Sequence, residues 1–143
     1  LRSIVRWRAR GYTRDSQGSL VNSPYTDISY KWAGGGLVST AADLCRFGSA
    51  VMNGTLLGAP ARAEMWKEQK TLDGKATGYA LGWVPGTTVG RASVAHGGAQ
   101  PSARSFLLLI PEERLAIAVL SNYEGFQPSS VARRIAEIWL SGR

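Results

Sequence analysis

The clearest hydrophobic pattern in the sequence is a pair of apolar runs in its second half. Residues 105–110 read SFLLLI and residues 115–120 read LAIAVL, and only Pro111-Glu112-Glu113-Arg114 separates them. A short polar connector between two such runs predicts an antiparallel β-hairpin. Because the apolar residues are consecutive rather than alternating, we expect both faces of these strands to be covered, as in the centre of a sheet.

Three shorter stretches also predict strands. Residues 4–12 alternate basic and apolar side chains. Residues 79–84 end at Pro85-Gly86. Residues 92–96 end at Gly97-Gly98. Alternation places successive side chains on opposite faces of a strand, and glycine and proline are typical of the turns that end one.

A helix is predicted over about residues 41–52. Thr40 is a favourable N-cap residue with Asp43 three positions later, and Asn53-Gly54 accepts the left-handed conformation at the other end. Between these signals the apolar residues recur at helical spacing: Ala41, Leu44, Cys45, Gly48, Val51 and Met52. We therefore expect Cys45 to be a buried core residue rather than a reactive thiol.

Two further helices are predicted, one before and one after the main strands. Pro60 is typical of a first helical turn, and this helix is expected to continue to about Gln69. Residues 129–140 carry four apolar side chains on one helical face: Val131, Ile135, Ile138 and Trp139. The order of elements indicates an α+β fold, an antiparallel β-sheet with flanking helices. About residues 37–70 would form a helical part, and about residues 79–143 the sheet strands and terminal helix.

Composition limits the chemistry that this chain can carry. Cys45 is the only cysteine and His96 the only histidine, so an internal disulfide is impossible and a metal site is not expected. We also expect no cofactor. No apolar run approaches the roughly 20 residues of a membrane-spanning helix, so no membrane span is predicted.

The charge balance is basic, with 17 Lys and Arg against 10 Asp and Glu, a net charge of +7. Arg6, Arg8 and Arg10 share one face of the first predicted strand, which would suit a row of phosphates. They would equally suit a solvated strand face or the acidic groups of a partner segment. Since no nucleic-acid-binding motif accompanies them, we favour the second interpretation and expect no nucleic-acid partner.

Four segments in fixed order resemble the superfamily of class C β-lactamases, penicillin-binding proteins, D,D-peptidases and family VIII esterases. Residues 34–44, GGGLVSTAADL, resemble its Gly-Gly-Leu-x-Ser-Thr-x-x-Asp-Leu segment. Residues 79–83, YALGW, resemble its Tyr-Gly-Leu-Gly-Trp segment. His96-Gly97-Gly98 occupies the place of its Lys/His-Thr/Ser-Gly motif, and residues 115–122 resemble the next strand, which ends in Asn.

The resemblance implies a β-lactamase/transpeptidase-like sheet beside a helical subdomain, with the active site between them. The nucleophile would be the serine of a Ser-x-x-Lys motif, assisted by a Tyr-x-Asn motif. Neither motif occurs in these 143 residues, and the first residues read as mid-domain sequence. We therefore expect the C-terminal portion of such a domain, inactive alone, whose nucleophile lies on a missing N-terminal segment of the same domain.

The resemblance also assigns catalytic residues. The backbone N–H of Ala99 would donate to the oxyanion, and His96 would set the electrostatic environment of the nucleophile or bind a substrate carboxylate. Gly97 and Gly98 would let the substrate approach the backbone closely. Without the resemblance, His96 would be interpreted as a residue that only closes the end of a strand.

Three more residues are candidates for substrate contact in this cleft. Tyr79 and Trp83 would line it, although aromatic residues in strands are more often core residues. Asn122, at the end of the sheet, would contact the substrate or cap a loop. Ser102 stands where many relatives have glycine.

Two functions remain open at this stage. The first is a serine hydrolase that acts on a small-molecule ester, amide or β-lactam carbonyl through an acyl-enzyme. Gly97 lacks the usual hydroxyl that binds a substrate carboxylate, which favours an ester over a β-lactam. The second is a non-catalytic module that binds a ligand or partner, as the absent Ser-x-x-Lys suggests. In either case we expect an exposed sheet edge and self-association of the isolated chain.

Overall fold

The computed structural model describes residues 6–142, in which helices and antiparallel strands form an α+β fold. The strands are β1 (Tyr12–Arg14), β2 (Leu20–Asn22), β3 (Val84–Thr88), β4 (Arg91–Gln100), β5 (Ala103–Ile110) and β6 (Leu115–Ser121). The helices are α1 (Ala41–Met52), α2 (Ala59–Trp66) and α3 (Pro128–Ser141), with short 3₁₀ helices at Ser29–Gly34 and Pro111–Glu113. The predicted fold class is confirmed.

The main sheet is a meander in which β3, β4, β5 and β6 lie side by side in chain order, each antiparallel to the next. The hairpin predicted from the two apolar runs is confirmed as β5 and β6, paired from Arg104 with Ser121 to Ile110 with Leu115. Its connector closes with Arg114 in the left-handed conformation. Sequential hairpins therefore bring residues 84–121 into one sheet.

Helices cover both faces of the β5–β6 hairpin, as the consecutive apolar residues predicted. On one face α3 packs on Leu108, Ile110 and Ile117. On the other face α1 packs over β5 and β6, and Leu107 and Leu109 belong to the core there. β5 is a central strand, whereas β6 has no strand partner along residues 115–120 on its other side among residues 6–142.

Helix α1 begins and ends where the sequence predicted. The Thr40 hydroxyl accepts a hydrogen bond from the backbone N–H of Asp43 at 3.1 Å, as an N-cap residue does. Gly48 lets the helix approach the sheet closely, because a Cβ at this position would lie 2.5 Å from Cδ2 of Leu109. Cys45 is half-buried, with its thiol near the carbonyl of Ala116.

Helix α3 contacts the sheet through Ala132, Ala136 and Leu140 rather than through the apolar face predicted from the sequence. Ala132 and Ala136 are fully buried against the sheet. The predicted apolar face is instead partly solvent-exposed, with exposed fractions of 36% for Val131, 43% for Ile135 and 62% for Ile138. The two short side chains allow the helix axis to lie close to β5 and β6, while Val131, Ile135 and Ile138 lie partly in solvent.

Two predicted strand boundaries were wrong. Residues 79–83 form a turn, because Gly82 adopts a φ of +80° and the N–H of Ala80 donates to the carbonyl of Trp83 at 2.7 Å. The strand begins only at Val84 and continues through Pro85-Gly86. Proline is tolerated there because β3 is the edge strand of the sheet.

The N-terminal strand prediction was also wrong over most of its length. Residues 4 and 5 lie outside the described residues, and residues 6–11 form no regular strand. Strand β1 begins at Tyr12, whose N–H donates to the carbonyl of Asn122 at 2.7 Å. Alternating side chains alone did not make residues 6–11 a strand, because a strand also needs a neighbour for its backbone hydrogen bonds.

Helix α2 is confirmed, although it ends at Trp66 rather than near Gln69. Lys67 is extended, and the chain then folds back so that Gln69 donates its N–H to the carbonyl of Tyr79 at 2.8 Å. This return places residues 77–83 beside the sheet. No helix within residues 6–142 is long and apolar enough to cross a membrane.

Candidate active site

The candidate site lies on the part of β4 that extends beyond β3. The last pair between these strands joins Val84 to Ala95, whereas β4 continues to Gln100. From His96 to Gln100, β4 therefore pairs with β5 alone within the described part of the chain, and its other edge has no strand partner. The expected strand end at Gly97-Gly98 was wrong, because these glycines lie within the strand and form its open edge.

His96 is joined to Tyr79 at one end of this open segment. Nε2 of His96 and the hydroxyl oxygen of Tyr79 share a hydrogen bond of 2.7 Å, and the rings meet edge to face at a centroid distance of 6.0 Å. Tyr79 is 40% exposed and His96 is exposed, so both side chains are accessible to a ligand. The structure brings two of the predicted site residues together.

Tyr79 is held in place by the return loop after α2. Its carbonyl accepts from the N–H of Gln69 and from the hydroxyl of Thr77, and its N–H donates to that same hydroxyl. The following turn buries Ala80 and Trp83 on the α1 side of the sheet. Ala80 and Trp83 thus hold the YALGW segment in the core, and Tyr79 at its start contacts His96 of β4.

Gly97, Gly98 and Ala99 follow His96 along the open edge, on alternating sides of the strand. A Cβ at Gly98 would lie 2.2 Å from Oγ of Ser105, so the glycine leaves room for that hydroxyl. At Gly97 a Cβ would be 3.6 Å from Phe106, an ordinary contact. A side chain at Gly98 would displace the Ser105 hydroxyl from its position, whereas the space at Gly97 would accept a larger residue.

Two hollows border this segment. One, of about 130 Å³, lies on the α3 side of the sheet and includes residues of β3 together with His96, Gly97 and Arg133. The other, of about 330 Å³, lies between residues 97–99 and the start of α3, and includes Gln127. A small molecule bound at the open edge would have space on the side of the sheet that α3 covers.

Trp83 and Asn122 lie apart from the open edge. Trp83 is only 6% exposed and stacks on Phe47 of α1 at a centroid distance of 6.5 Å. Asn122 donates from its side-chain amide to the carbonyl of Arg10 at 2.7 Å, beside the bond between its own carbonyl and Tyr12. Both residues contact protein groups, in the packing and loop-capping roles that the sequence had left as alternatives.

The structure adds residues that the sequence did not single out. Ser105 lies opposite Gly98 in the register of β4 and β5. At the far end of the open segment, Nζ of Lys31 donates to the side-chain carbonyl of Gln100 at 2.6 Å, and Gly35 packs against the same side chain. The triple glycine was the one signal of this close approach, since strand register is not visible in the sequence.

Two carboxylates in the helical part of the chain and the loop after it have lowered pKa values. The Thr40 hydroxyl and then the Arg46 guanidinium lower the pKa of Asp43, at the start of α1. Lys75 and then Thr71 lower the pKa of Asp73, in the loop after α2. Within residues 6–142, no group of three or more His, Cys, Asp or Glu residues is arranged to hold a metal ion. The candidate chemistry therefore rests on backbone groups, His96 and Tyr79.

A family model identifies the family of this chain. The family model described as Beta-lactamase matches residues 2–138. The chain belongs to the beta-lactamase family. The open edge of β4 carries the motif His96-Gly97-Gly98, where the sequence resemblance to this family had placed the third active-site motif.

The relatives of this beta-lactamase family member include eukaryotic proteins. The mitochondrial serine beta-lactamase-like proteins LACTB of Mus musculus and Homo sapiens are each 30% identical to the chain over 172 aligned positions. The match covers 93% of this chain and 31% of each relative. The chain thus spans about a third of the length of these relatives.

Solved structures of other proteins share the fold of this chain. The octameric penicillin-binding protein homologue from Pyrococcus abyssi has a TM-score of 0.77 at 26% identity, over 93% of this chain and 31% of that one. A D-stereospecific amidohydrolase from Streptomyces has a TM-score of 0.72 at 20% identity, over 94% of this chain and 40% of that one. The second similarity is one of fold alone.

Proposed function

We propose that this chain contributes one side of a serine-hydrolase active site that cleaves an ester, amide or β-lactam carbonyl through an acyl-enzyme. The observation that carries the proposal is the open edge of β4 from His96 to Gln100, with a family motif on it. An unpaired strand edge presents backbone N–H groups to a ligand. Acyl transfer needs such donors where negative charge develops on the carbonyl oxygen.

Ala99 supplies the oxyanion donor in this proposal. It is exposed on the open segment and borders the hollow next to the start of α3, so a carbonyl oxygen has space to reach its N–H. A second donor comes from the nucleophilic serine. Loss of one such donor typically lowers kcat by ~10²–10³, which makes the position of β4 a determinant of rate.

The nucleophile is proposed to come from a segment outside these 143 residues. None of the serines in the chain is followed by lysine at the third position, and no tyrosine is followed by asparagine at the second. An unassisted serine hydroxyl is a weak nucleophile and needs an adjacent base. The chain alone is therefore proposed to be inactive, and the activity to belong to the longer protein.

An uncharged ester is the favoured substrate class. Gly97 lacks the hydroxyl that the family motif places at this position, and no other hydroxyl takes its place within β4 beyond Ala95. A substrate carboxylate would lose a hydrogen bond there, whereas an uncharged acyl group would lose nothing. The carboxylate of a penicillin would thus be recognised poorly.

The test is covalent labelling with a serine-directed fluorophosphonate, followed by intact mass. The isolated 143-residue chain and the full-length product of its gene are treated side by side. We expect one adduct on the full-length protein, on the serine of a Ser-x-x-Lys motif, and none on the isolated chain. An adduct on a serine of the isolated chain would overturn the placement of the nucleophile.

The second candidate function is a non-catalytic module that binds a ligand or partner. The absence of Ser-x-x-Lys and the glycine at position 97 favour it. The same experiment separates the two functions. If the full-length protein is not labelled and hydrolyses no activated ester, the hydrolase proposal fails and the binding module remains.

A further inference from the structure

The hydrogen bond between Tyr79 and His96 bears on which ring nitrogen of the imidazole carries the proton. Tyr79 was expected to contact substrate, yet its hydroxyl oxygen lies 2.7 Å from Nε2 of His96. A neutral imidazole carries one proton, so one ring nitrogen donates and the other accepts. Which nitrogen holds the proton is set by the hydrogen bond that the other nitrogen makes.

The chemistry of the two groups decides the direction of donation. A phenol is a much stronger acid than the N–H of neutral imidazole, and an imidazole nitrogen is a better acceptor than a phenol oxygen. The favoured bond therefore runs from the Tyr79 hydroxyl to Nε2 of His96. Nδ1 then carries the proton of the ring.

The surroundings hold this arrangement in place. The backbone of Tyr79 is fixed by hydrogen bonds to Gln69 and Thr77, and its edge-to-face contact with the imidazole restricts both rings. Nδ1 makes no hydrogen bond to another group that the structure describes. It is the ring nitrogen left available to a ligand at the open edge of β4.

We propose that Tyr79 is a positioning residue that holds His96 as the Nδ1–H tautomer, so that His96 presents a hydrogen-bond donor to the acyl substrate. Only the role of that donor rests on the proposed hydrolase function; the tautomer itself does not. His96 then acts toward the substrate as a donor to an oxygen atom rather than as a base. No proton is transferred between Tyr79 and His96 in the neutral state.

The sequence makes the test direct, because His96 is the only histidine. A long-range ¹H–¹⁵N NMR spectrum of the ¹⁵N-labelled chain contains one imidazole, and its two nitrogen shifts identify the tautomer. The spectrum is recorded at about pH 8.5, which lies between the ordinary pKa values of imidazole and phenol groups in model peptides. We expect a protonated Nδ1 and an unprotonated Nε2. A protonated Nε2 in the unmodified chain would overturn the proposal.

Tyr79→Phe tests whether the hydroxyl is the cause. It keeps the ring and its packing and removes only the donor, so the ring should shift toward the Nε2–H tautomer that water-exposed histidines favour. Tyr25→Phe is the matched control, because Tyr25 is exposed and has no contact with His96 among the described residues. An unchanged Nδ1–H tautomer in Tyr79→Phe would also overturn the proposal.

The readout separates this inference from the proposed function. The NMR spectra are recorded without substrate, so a protein that hydrolyses no ester still passes or fails the tautomer test. If Tyr79→Phe does not fold, judged by its backbone amide spectrum, the spectrum of the unmodified chain decides alone. In the active full-length protein, we expect Tyr79→Phe to lower kcat/KM for an activated ester by about tenfold.

Discussion

Gly97 is the residue at which this chain departs from its family motif, and the structure gives it room for a side chain. The nearest atom to a Cβ placed there is a ring carbon of Phe106 at 3.6 Å, and the backbone is not left-handed. The glycine is therefore not demanded by packing. What glycine changes at this position is the hydrogen bonding, because the residue of the family motif carries a hydroxyl and glycine does not.

We predict that Gly97→Ser shifts the substrate preference of the full-length protein toward penicillins. The new hydroxyl can donate to a substrate carboxylate, so the ratio of kcat/KM for a penicillin to that for an uncharged ester should rise roughly tenfold. Gly97→Ala is the control, since it fills the same space without a hydroxyl. An equal change in both variants would mean that volume, not the hydroxyl, sets the preference.

At the level of single residues, the sequence names candidate site residues but not the contacts between them. The motif alone names His96, Gly97, Gly98 and Ala99 as site residues, and their roles stay a prediction. The bond from Tyr79 to His96 was not predicted, because it depends on a turn at Gly82 and on the return of the chain after α2. Contacts between residues that are distant in sequence need the register, which a single sequence does not contain.

The hairpin between β3 and β4 turns on two residues with positive φ, Val89 at +51° and Gly90 at +74°. This geometry is typical of a two-residue hairpin turn that prefers asparagine followed by glycine. A β-branched residue is strained in the left-handed region, at a cost of about 1–2 kcal/mol. This strain lies in the turn between β3 and β4 and not in the open segment of β4 that forms the candidate site.

We predict that Val89→Asn stabilises the chain by about 1 kcal/mol, because asparagine tolerates the left-handed conformation. Denaturant-induced unfolding of the 143-residue chain measures the change. Leu72→Asn is the control, since it also replaces an exposed apolar residue but at a position without positive φ. If both variants gain equally, the benefit comes from replacing an exposed apolar side chain by a polar one and not from the turn.

The hydrogen bonds of Asp43 at the start of α1 should contribute to the free energy of unfolding in a pH-dependent way. The Thr40 hydroxyl donates to the Asp43 carboxylate at 2.9 Å, and Arg46 contacts the other oxygen at 2.5 Å, which together lower the pKa of Asp43. A lowered pKa means that this stabilisation is present above the ordinary value of 3.8 and is lost as pH falls through the folded-state pKa.

We therefore predict that Asp43→Asn lowers the free energy of unfolding near neutral pH and has little effect in strong acid. Urea unfolding at a series of pH values measures the difference. Thr40→Ala should cost about 1 kcal/mol through loss of the cap, whereas Ser39→Ala, outside the cap, should cost little. A difference for Asp43→Asn that persists unchanged at low pH would contradict the assignment.

Among the elements, those with a local signal were predicted well. The N-cap at Thr40 and the apolar hairpin runs define α1, β5 and β6 within a few residues. Residues 6–11 have a strand-like pattern but form no strand, and the strand-like pattern of residues 79–83 is interrupted by the turn at Gly82. The apolar pattern of α3 was read correctly as one face, but only packing shows that the alanine face contacts the sheet.

The described part of the molecule exposes an apolar helix face and an unpaired strand edge. The outer face of α3 exposes Val131, Ile135 and Ile138, and β6 has no strand partner along residues 115–120 within the described residues. Exposed apolar stripes and unpaired strand edges favour association between chains. Self-association therefore remains our prediction for the isolated chain.

We expect the isolated chain to sediment as a dimer or larger species at micromolar concentration. Ile138→Glu should shift it toward monomer with the same circular dichroism spectrum, since the residue is exposed and α3 packs through its other face. Leu72→Glu, a charge introduced at another exposed leucine, should leave the association unchanged. A monomeric unmodified chain that melts cooperatively would contradict the prediction.

Strands β3 to β6 pair in chain order, which favours early formation of this sheet during folding. Each strand pairs with the next, so residues 84–121 need only short loops to close, while Arg14 bonds Tyr123 across 109 residues. Short-range contacts form faster than long-range ones. We expect pulsed hydrogen exchange during refolding to protect the amides of β4 and β5 before that of Tyr12, so that the N-terminal strands attach to a sheet that already exists.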